Sequence, residues 1–147
     1  MEMENRILIV EAEAPLKRSL EKYLTRAGYA FQSCGTAREA IAIAETMHPH
    51  AVVAAYRLPD ANGFTLAEKL KRTAPDVAVI LLSEVDFPVA ADDPIRANVR
   101  TLLKKPFDLT ELEAALHSAC SMRTTTLDAI DWKREVNHPG ISSPLFK

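Results

Sequence analysis

Arg6-Ile7-Leu8-Ile9-Val10, followed at once by Glu11-Ala12-Glu13-Ala14-Pro15, is the stretch from which the fold can be worked out. An unbroken apolar run bounded by charge reads as a strand buried on both faces, not one. Pro15 then fits the first position of a helix and Gly28 the residue just past its end. Between them Leu16, Leu20, Tyr23, Leu24 and Ala27 form one helical stripe.

The same alternation continues along the chain. Tyr29 to Cys34 reads as a second strand, and Thr36-Ala37-Arg38-Glu39 as a capping box opening a helix that carries Ala40, Ile41, Ala44 and Met47. His50 to Ala55 is a third buried strand. The loop Tyr56 to Asn62 leads into a helix with Phe64, Ala67 and Leu70 inward. Val77 to Leu82 is a fourth strand and Val99 to Leu103 a weaker fifth. Asp108-Leu109-Thr110-Glu111 caps a last helix with Leu112, Ala115, Leu116 and Ala119 inward. Between Ser83 and Asn98, Pro88 and Pro94 forbid one regular helix and predict a loop with a short helix. Met122 to Lys147 is polar and reads as a tail, in which Leu127, Ile130, Trp132 and Val136 suit a short helix.

Repeated strand–helix units predict an α/β fold, a doubly wound parallel sheet covered by helices on both sides. In such sheets the functional site lies at the carboxyl ends of the strands. Here those ends are Val10 to Glu13, Ala54 to Leu58, Leu82 to Glu84 and Leu103 to Pro106.

Composition narrows the function. The 147 residues suit one domain, taken here as residues 5–121 with 122–147 as the tail. At 48% hydrophobic and 26% charged, the chain is neither disordered nor fibrous. A formal net charge of −2 gives no global basic field for nucleic acid or an anionic membrane. Cys34 and Cys120 are too few for a disulfide framework and read as packed thiols in a reduced, cytoplasmic setting. The acidic start Met1-Glu2-Met3-Glu4 does not read as a signal peptide, and no apolar run is long enough to span a bilayer. His48 and His50 flank Pro49 with no Cys or acidic cluster nearby, and read as solvated.

Four blocks at the strand ends resemble the receiver domain of two-component response regulators. They are Ile7-Leu8-Ile9-Val10-Glu11-Ala12-Glu13-Ala14-Pro15, Tyr56-Arg57-Leu58-Pro59-Asp60-Ala61-Asn62-Gly63, Leu81-Leu82-Ser83 and Lys104-Lys105-Pro106-Phe107. The gaps between blocks fit the family too, which makes the match specific. The resemblance implies a five-stranded, flavodoxin-like (βα)5 fold with strand order 2-1-3-4-5. It also implies phosphoryl transfer from a kinase phosphohistidine to an Asp after the third strand. In that family two acidic residues after the first strand help hold Mg²⁺, a Lys contacts the phosphoryl group, and a Ser/Thr hydroxyl bonds to it.

Carried over residue by residue, this pattern is broken. Ala55 stands at the phosphoacceptor position, and a methyl group is no nucleophile. Glu11 takes the first acidic position but Ala12 the second, so one of three family carboxylates remains. Mg²⁺ wants near-octahedral oxygen ligation, and no useful affinity is expected. Leu102 replaces the aromatic ring that the family turns inward. Ser83 and Lys105 survive, and Glu11 is the natural counter-charge for Lys105. Lys105-Pro106 suits a cis bond. Glu84 stands where the family commonly has a small residue; its carboxylate either swings toward Ser83 and Lys105 as a phosphate mimic or is solvated.

The degenerate pocket is therefore Glu11, Ala12, Ala55, Ser83, Glu84, Leu102 and Lys105, with no catalytic, cofactor-binding or metal residue assigned. The expectation is a bacterial, response-regulator-like signalling protein, not an enzyme. It would act without phosphorylation through protein contacts around Pro94 to Ala119, with neither nucleic acid nor membrane as partner and a homodimer left open. The alternative is a phosphorylatable receiver whose acceptor Asp was changed to Ala55, or is replaced by another carboxylate such as Asp60. A flavin or nucleotide enzyme is disfavoured, because the acidic first turn would repel phosphate.

Overall fold

The computed structural model describes residues 5–84 and 98–121. Its order is β1 (Arg6–Val10), α1 (Ala14–Ala27), β2 (Ala30–Cys34), α2 (Ala37–Met47), β3 (Ala51–Ala55), α3 (Gly63–Thr73), β4 (Ala78–Ser83), β5 (Thr101–Lys104) and α4 (Leu109–Ser121). The five strands pair in parallel in the order β2-β1-β3-β4-β5, the doubly wound arrangement expected. The short helix expected before Asn98 and the tail from Met122 lie outside the described residues. So does part of the expected contact region beginning at Pro94.

Period-2 alternation divides the central strands between two cores. Leu8, Val10, Val52, Ala54, Val79 and Leu81 face α2 and α3, meeting Ala40, Ala44, Phe64, Ala67 and Leu70. Ile7, Ile9, Val53, Ile80, Leu82 and Leu103 face α1 and α4, meeting Leu20, Leu24, Leu112, Ala115, Leu116 and Ala119. Burial on both faces is why β1, β3 and β4 read as unbroken apolar runs.

The helix boundaries follow local chemistry, with small departures from the sequence reading. Pro15 falls in the first turn but at the second helical residue, since Glu13 is the N-cap. Gly28 closes α1 at φ 87°, where a side chain would be strained, and its amide reaches the carbonyls of Leu24 and Thr25. Ala27 does not join the inward stripe and is exposed, because α1 ends there and the chain turns away to β2. The Thr36 hydroxyl accepts from the Glu39 amide at 3.1 Å. The return half of the box is displaced by one residue, since Glu39 Oε1 accepts from Gly35 N at 3.1 Å. Strand β5 starts at Thr101, later than expected, although Arg100 N already donates to Val79 O at 2.8 Å.

Two polar ties fix the loops. At the amino end of the sheet His50 is buried, against the solvated reading. Its Nδ1 accepts from Arg6 N at 2.9 Å, while its own amide donates to Arg6 O at 2.8 Å. The Arg6 guanidinium reaches the carbonyls of Met47 and His48, so the end of α2 is clipped to the start of β1. At the other end, Asp60 in the β3–α3 loop accepts from Ala37 N at 2.8 Å and Arg38 N at 3.0 Å. These are free amides of the first turn of α2, so one carboxylate ties two crossover connections together. Those two amides hold the Asp60 carboxyl below its ordinary value. Gly63 opens α3 under steric constraint, since a Cβ there would meet Leu81 Cδ2 at 2.7 Å.

Three substitutions test these local features. His50→Leu leaves the Arg6 amide without its acceptor and costs about 1–3 kcal/mol in urea unfolding. By contrast His48→Gly is neutral to stabilising, because His48 ends α2 at φ 53°. Asp60→Ala lowers the melting temperature at neutral pH. Folding depresses the Asp60 pKa, so its cap stabilises above the unfolded carboxyl's value, about 4. That contribution is lost as pH falls through the folded value, and the gap between wild type and Asp60→Ala should close there in thermal melts.

Candidate functional site

Parallel pairing brings the carboxyl ends of β1, β3, β4 and β5 to one edge. Backbone bonds extend the ladders past the strands: Glu11 N to Cys34 O at 3.0 Å, Tyr56 N to Leu82 O at 2.7 Å and Lys105 N to Ser83 O at 2.7 Å. The residues just beyond them are therefore placed as firmly as the strands. Together they line a cleft of about 350 Å³ that includes Glu11, Ala12, Ala55, Ser83, Glu84 and Lys105.

Glu11 is only 4% exposed. Its Oε2 accepts from Glu13 N at 3.0 Å, a bond that closes the acidic turn on itself. Its Oε1 is buried without a hydrogen-bond partner and lies 3.5 Å from Lys105 Nζ. This contact is an ion pair, not a hydrogen bond, and it is the pairing expected from the sequence. The same ammonium stands 4.0 Å from Glu13 Oε1. Ser83 is buried at the end of β4. The Lys105-Pro106 peptide is cis, as expected. Ala55 and Ala12 present methyl groups; Ala55 is buried and Ala12 exposed.

Glu84, Leu102 and Asp60, also singled out from the sequence, stand apart from this ion pair. Glu84 lines the cleft but is exposed at its mouth, and the ion pairs of Lys105 run to Glu11 and Glu13. Leu102 does not line the cleft. It is half-buried against the α2–α3 core, beside Leu81 in the register of β4 and β5. Asp60 is bound to the start of α2 by both carboxylate oxygens.

Glu13, Tyr56 and Arg57 also line the cleft and were not singled out. Alternation could have found two of them, since Glu13 follows Glu11 by two and Arg57 follows Ala55 by two. Tyr56 turns its ring edge-on to Phe64, with centroids 5.6 Å apart. Cys34 is a packed thiol: burial, then the Glu39 charge, push its pKa to about 11, and its Sγ lies 3.7 Å from Thr36 O. Among the described residues, no group of three or more His, Cys, Asp or Glu is arranged to hold a metal ion, and no helix is long and apolar enough to cross a membrane.

A second cleft of about 360 Å³ opens beside the first. Leu16, Leu20, Phe107 and Leu109 line it, and it shares Glu13, Glu84 and Lys105. Leu109 is 54% exposed, the large apolar side chain left open to solvent among the described residues.

Comparison with known proteins places this geometry. A family model for the response regulator receiver domain matches residues 7–117. The chain is 32% identical over 121 residues to the transcriptional regulatory protein PmrA of Pectobacterium parmentieri, covering 77% of this chain and 51% of that protein. It is 29% identical over 123 residues to the response regulator MprA of Mycolicibacterium vanbaalenii, covering 84% and 52%. The chain thus spans about half the length of these relatives. Among solved structures, the non-phosphorylated HemR receiver domain of Leptospira biflexa superposes with a TM-score of 0.70 at 28% identity, covering 83% of this chain and 98% of that one. The receiver domain of the sensor histidine kinase PA1611 of Pseudomonas aeruginosa, solved with a magnesium ion in its active site cleft, shares the fold: TM-score 0.71 at 22% identity, covering 80% and 98%. On this match over most of its length, the chain belongs to the response regulator receiver domain family.

Proposed function

We propose that this chain is a receiver that has kept the fold and lost the phosphorylation chemistry, and that it signals by protein–protein contact. The observation that carries the reading is the pair of methyl groups, Ala55 and Ala12, lining the cleft at the strand ends. Aspartyl phosphorylation needs an oxygen nucleophile, and a methyl group offers none. The PA1611 receiver holds a magnesium ion in its cleft. The residues here do not fit one. Of the Glu11 oxygens, Oε2 is taken by the Glu13 amide and Oε1 faces an ammonium. Mg²⁺ needs oxygen ligands near 2.1 Å in octahedral array, and two alanines supply none.

Asp60 is a poor substitute acceptor on the same grounds, because both its oxygens are engaged at the start of α2. On this reading residues 5–121 are the receiver-like unit, 122–147 are a tail, and the protein is a non-enzymatic component of a bacterial, cytoplasmic two-component pathway. Its partner is a kinase, regulator or output protein that meets the region Pro94 to Ala119. Leu109, exposed at the start of α4, lies within that region beside the apolar groups Leu16, Leu20 and Phe107 of the second cleft.

The test is an amide NMR titration with Mg²⁺ and beryllofluoride, the mimic of a phosphorylated aspartate. The TrrA receiver of Thermotoga maritima, known in complex with Mg²⁺ and BeF, serves as the positive control. No saturable shift at Ser83 or Lys105 is expected in this chain. Saturable shifts there would mean that a carboxylate is accepting the mimic, and the proposal would fall.

A further inference from the structure

The second cleft is apolar where the first is charged. Leu20 is buried in its lining, Leu16 and Phe107 are half-buried, and Leu109 stands 54% exposed. Glu13 and Glu84, both exposed, share that lining, while Lys105 is drawn toward Glu11 and Glu13. Apolar side chains edged by carboxylates, around a volume of about 360 Å³, suit one large aromatic anchor with cations beside it.

The chain carries one tryptophan, Trp132, and it lies within reach. Leu109 is the first residue of α4 and Ser121 the last, so the tail departs about 18 Å from the cleft. Trp132 stands eleven residues past Ser121, a reach of up to about 36 Å, so the chain can turn back along α4 with length to spare. Ala129 stands three residues before Trp132 and Val136 four after it, one apolar stripe at helical spacing. Lys133 and Arg134 follow the Trp directly, two cations to set against the carboxylates of Glu13 and Glu84.

We propose that the second cleft is the docking site of this chain's own tail: Trp132 enters among Leu16, Leu20, Phe107 and Leu109, and Lys133 and Arg134 face Glu13 and Glu84. A single buried Trp is a common anchor of such contacts. The tether favours this occupant over a second copy, because a linked segment meets its site at an effective concentration on the order of millimolar. A docked tail covers Leu109, so a partner that uses the start of α4 has to displace it. The inference goes beyond the proposed reading and stands whether or not the first cleft accepts a phosphoryl group.

Because Trp132 is the single tryptophan, its fluorescence reports the contact directly. In the full chain its emission should lie to the blue of a synthetic peptide of residues 122–147, and acrylamide should quench it several-fold less. Leu109→Asp should move both values to those of the peptide. An Asp in the first turn suits a helix amino end, so α4 is kept in that variant. Glu84→Lys should raise the quenching, and adding Lys133→Glu and Arg134→Glu should lower it again. In amide NMR spectra, Trp132→Ala should shift Leu16, Ser19, Phe107 and Leu109. Peptide-like emission in the wild-type chain overturns the inference. So does a protected Trp132 that Leu109→Asp or Glu84→Lys leaves unchanged, because the ring is then buried elsewhere. Protection that disappears on dilution, together with a dimer in sedimentation, overturns it in favour of a second copy. The beryllofluoride titration reads the first cleft, and none of these outcomes depends on it.

Discussion

Parallel pairing is the constraint on which the rest of this structure depends. A parallel strand must be followed by a crossover, and every crossover here leaves from the same edge of the sheet. That edge collects Glu11, Ala55, Ser83 and Lys105 from four strand ends far apart in sequence. Backbone bonds beyond the regular strands, such as Lys105 N to Ser83 O, carry the sheet's rigidity into the cleft. The cleft is thus a product of the sheet's register, and the chemistry it can do is left to the few side chains at those ends.

Glu11 shows how such an edge limits what can stand on it. A carboxylate 4% exposed must find compensation inside the protein, and it finds the Glu13 amide for one oxygen and the Lys105 charge for the other. Neither contact needs an acceptor aspartate. The acidic turn can therefore hold its shape beside two alanines. Asp60 does the same for the facing loop, since its hold on Ala37 and Arg38 fixes β3–α3 against α2 without any ligand in the cleft.

Most of the fold was legible because burial on both faces writes unbroken apolar runs, and helices write stripes. Leu112, Ala115, Leu116 and Ala119 are all buried, as their spacing requires. The Glu11–Lys105 pair was legible once the strand ends were known to share an edge. What escaped was polar burial set by distant backbone. Nothing around His50 announces that the Arg6 amide, 44 residues earlier, will meet its Nδ1. Asp60 reads as a loop carboxylate until α2 is seen to begin beside it. Leu102 was assigned to the pocket by its position in a motif, but register with Leu81 lays it, half-buried, against the α2–α3 core.

That last displacement bears on mechanism. A residue that relays a change at the cleft needs an alternative place to go, and a two-state element is what turns a local event into a distant one. Leu102 is seated among apolar groups of the α2–α3 core, with no polar end to exchange between solvent and the cleft. Lys105 is held between two carboxylates, and the β3–α3 loop is fixed at Asp60. On the proposed reading, none of these described residues is left to switch. Control of the surface near Leu109 would then have to come from outside this cleft, through what covers that surface and what displaces it.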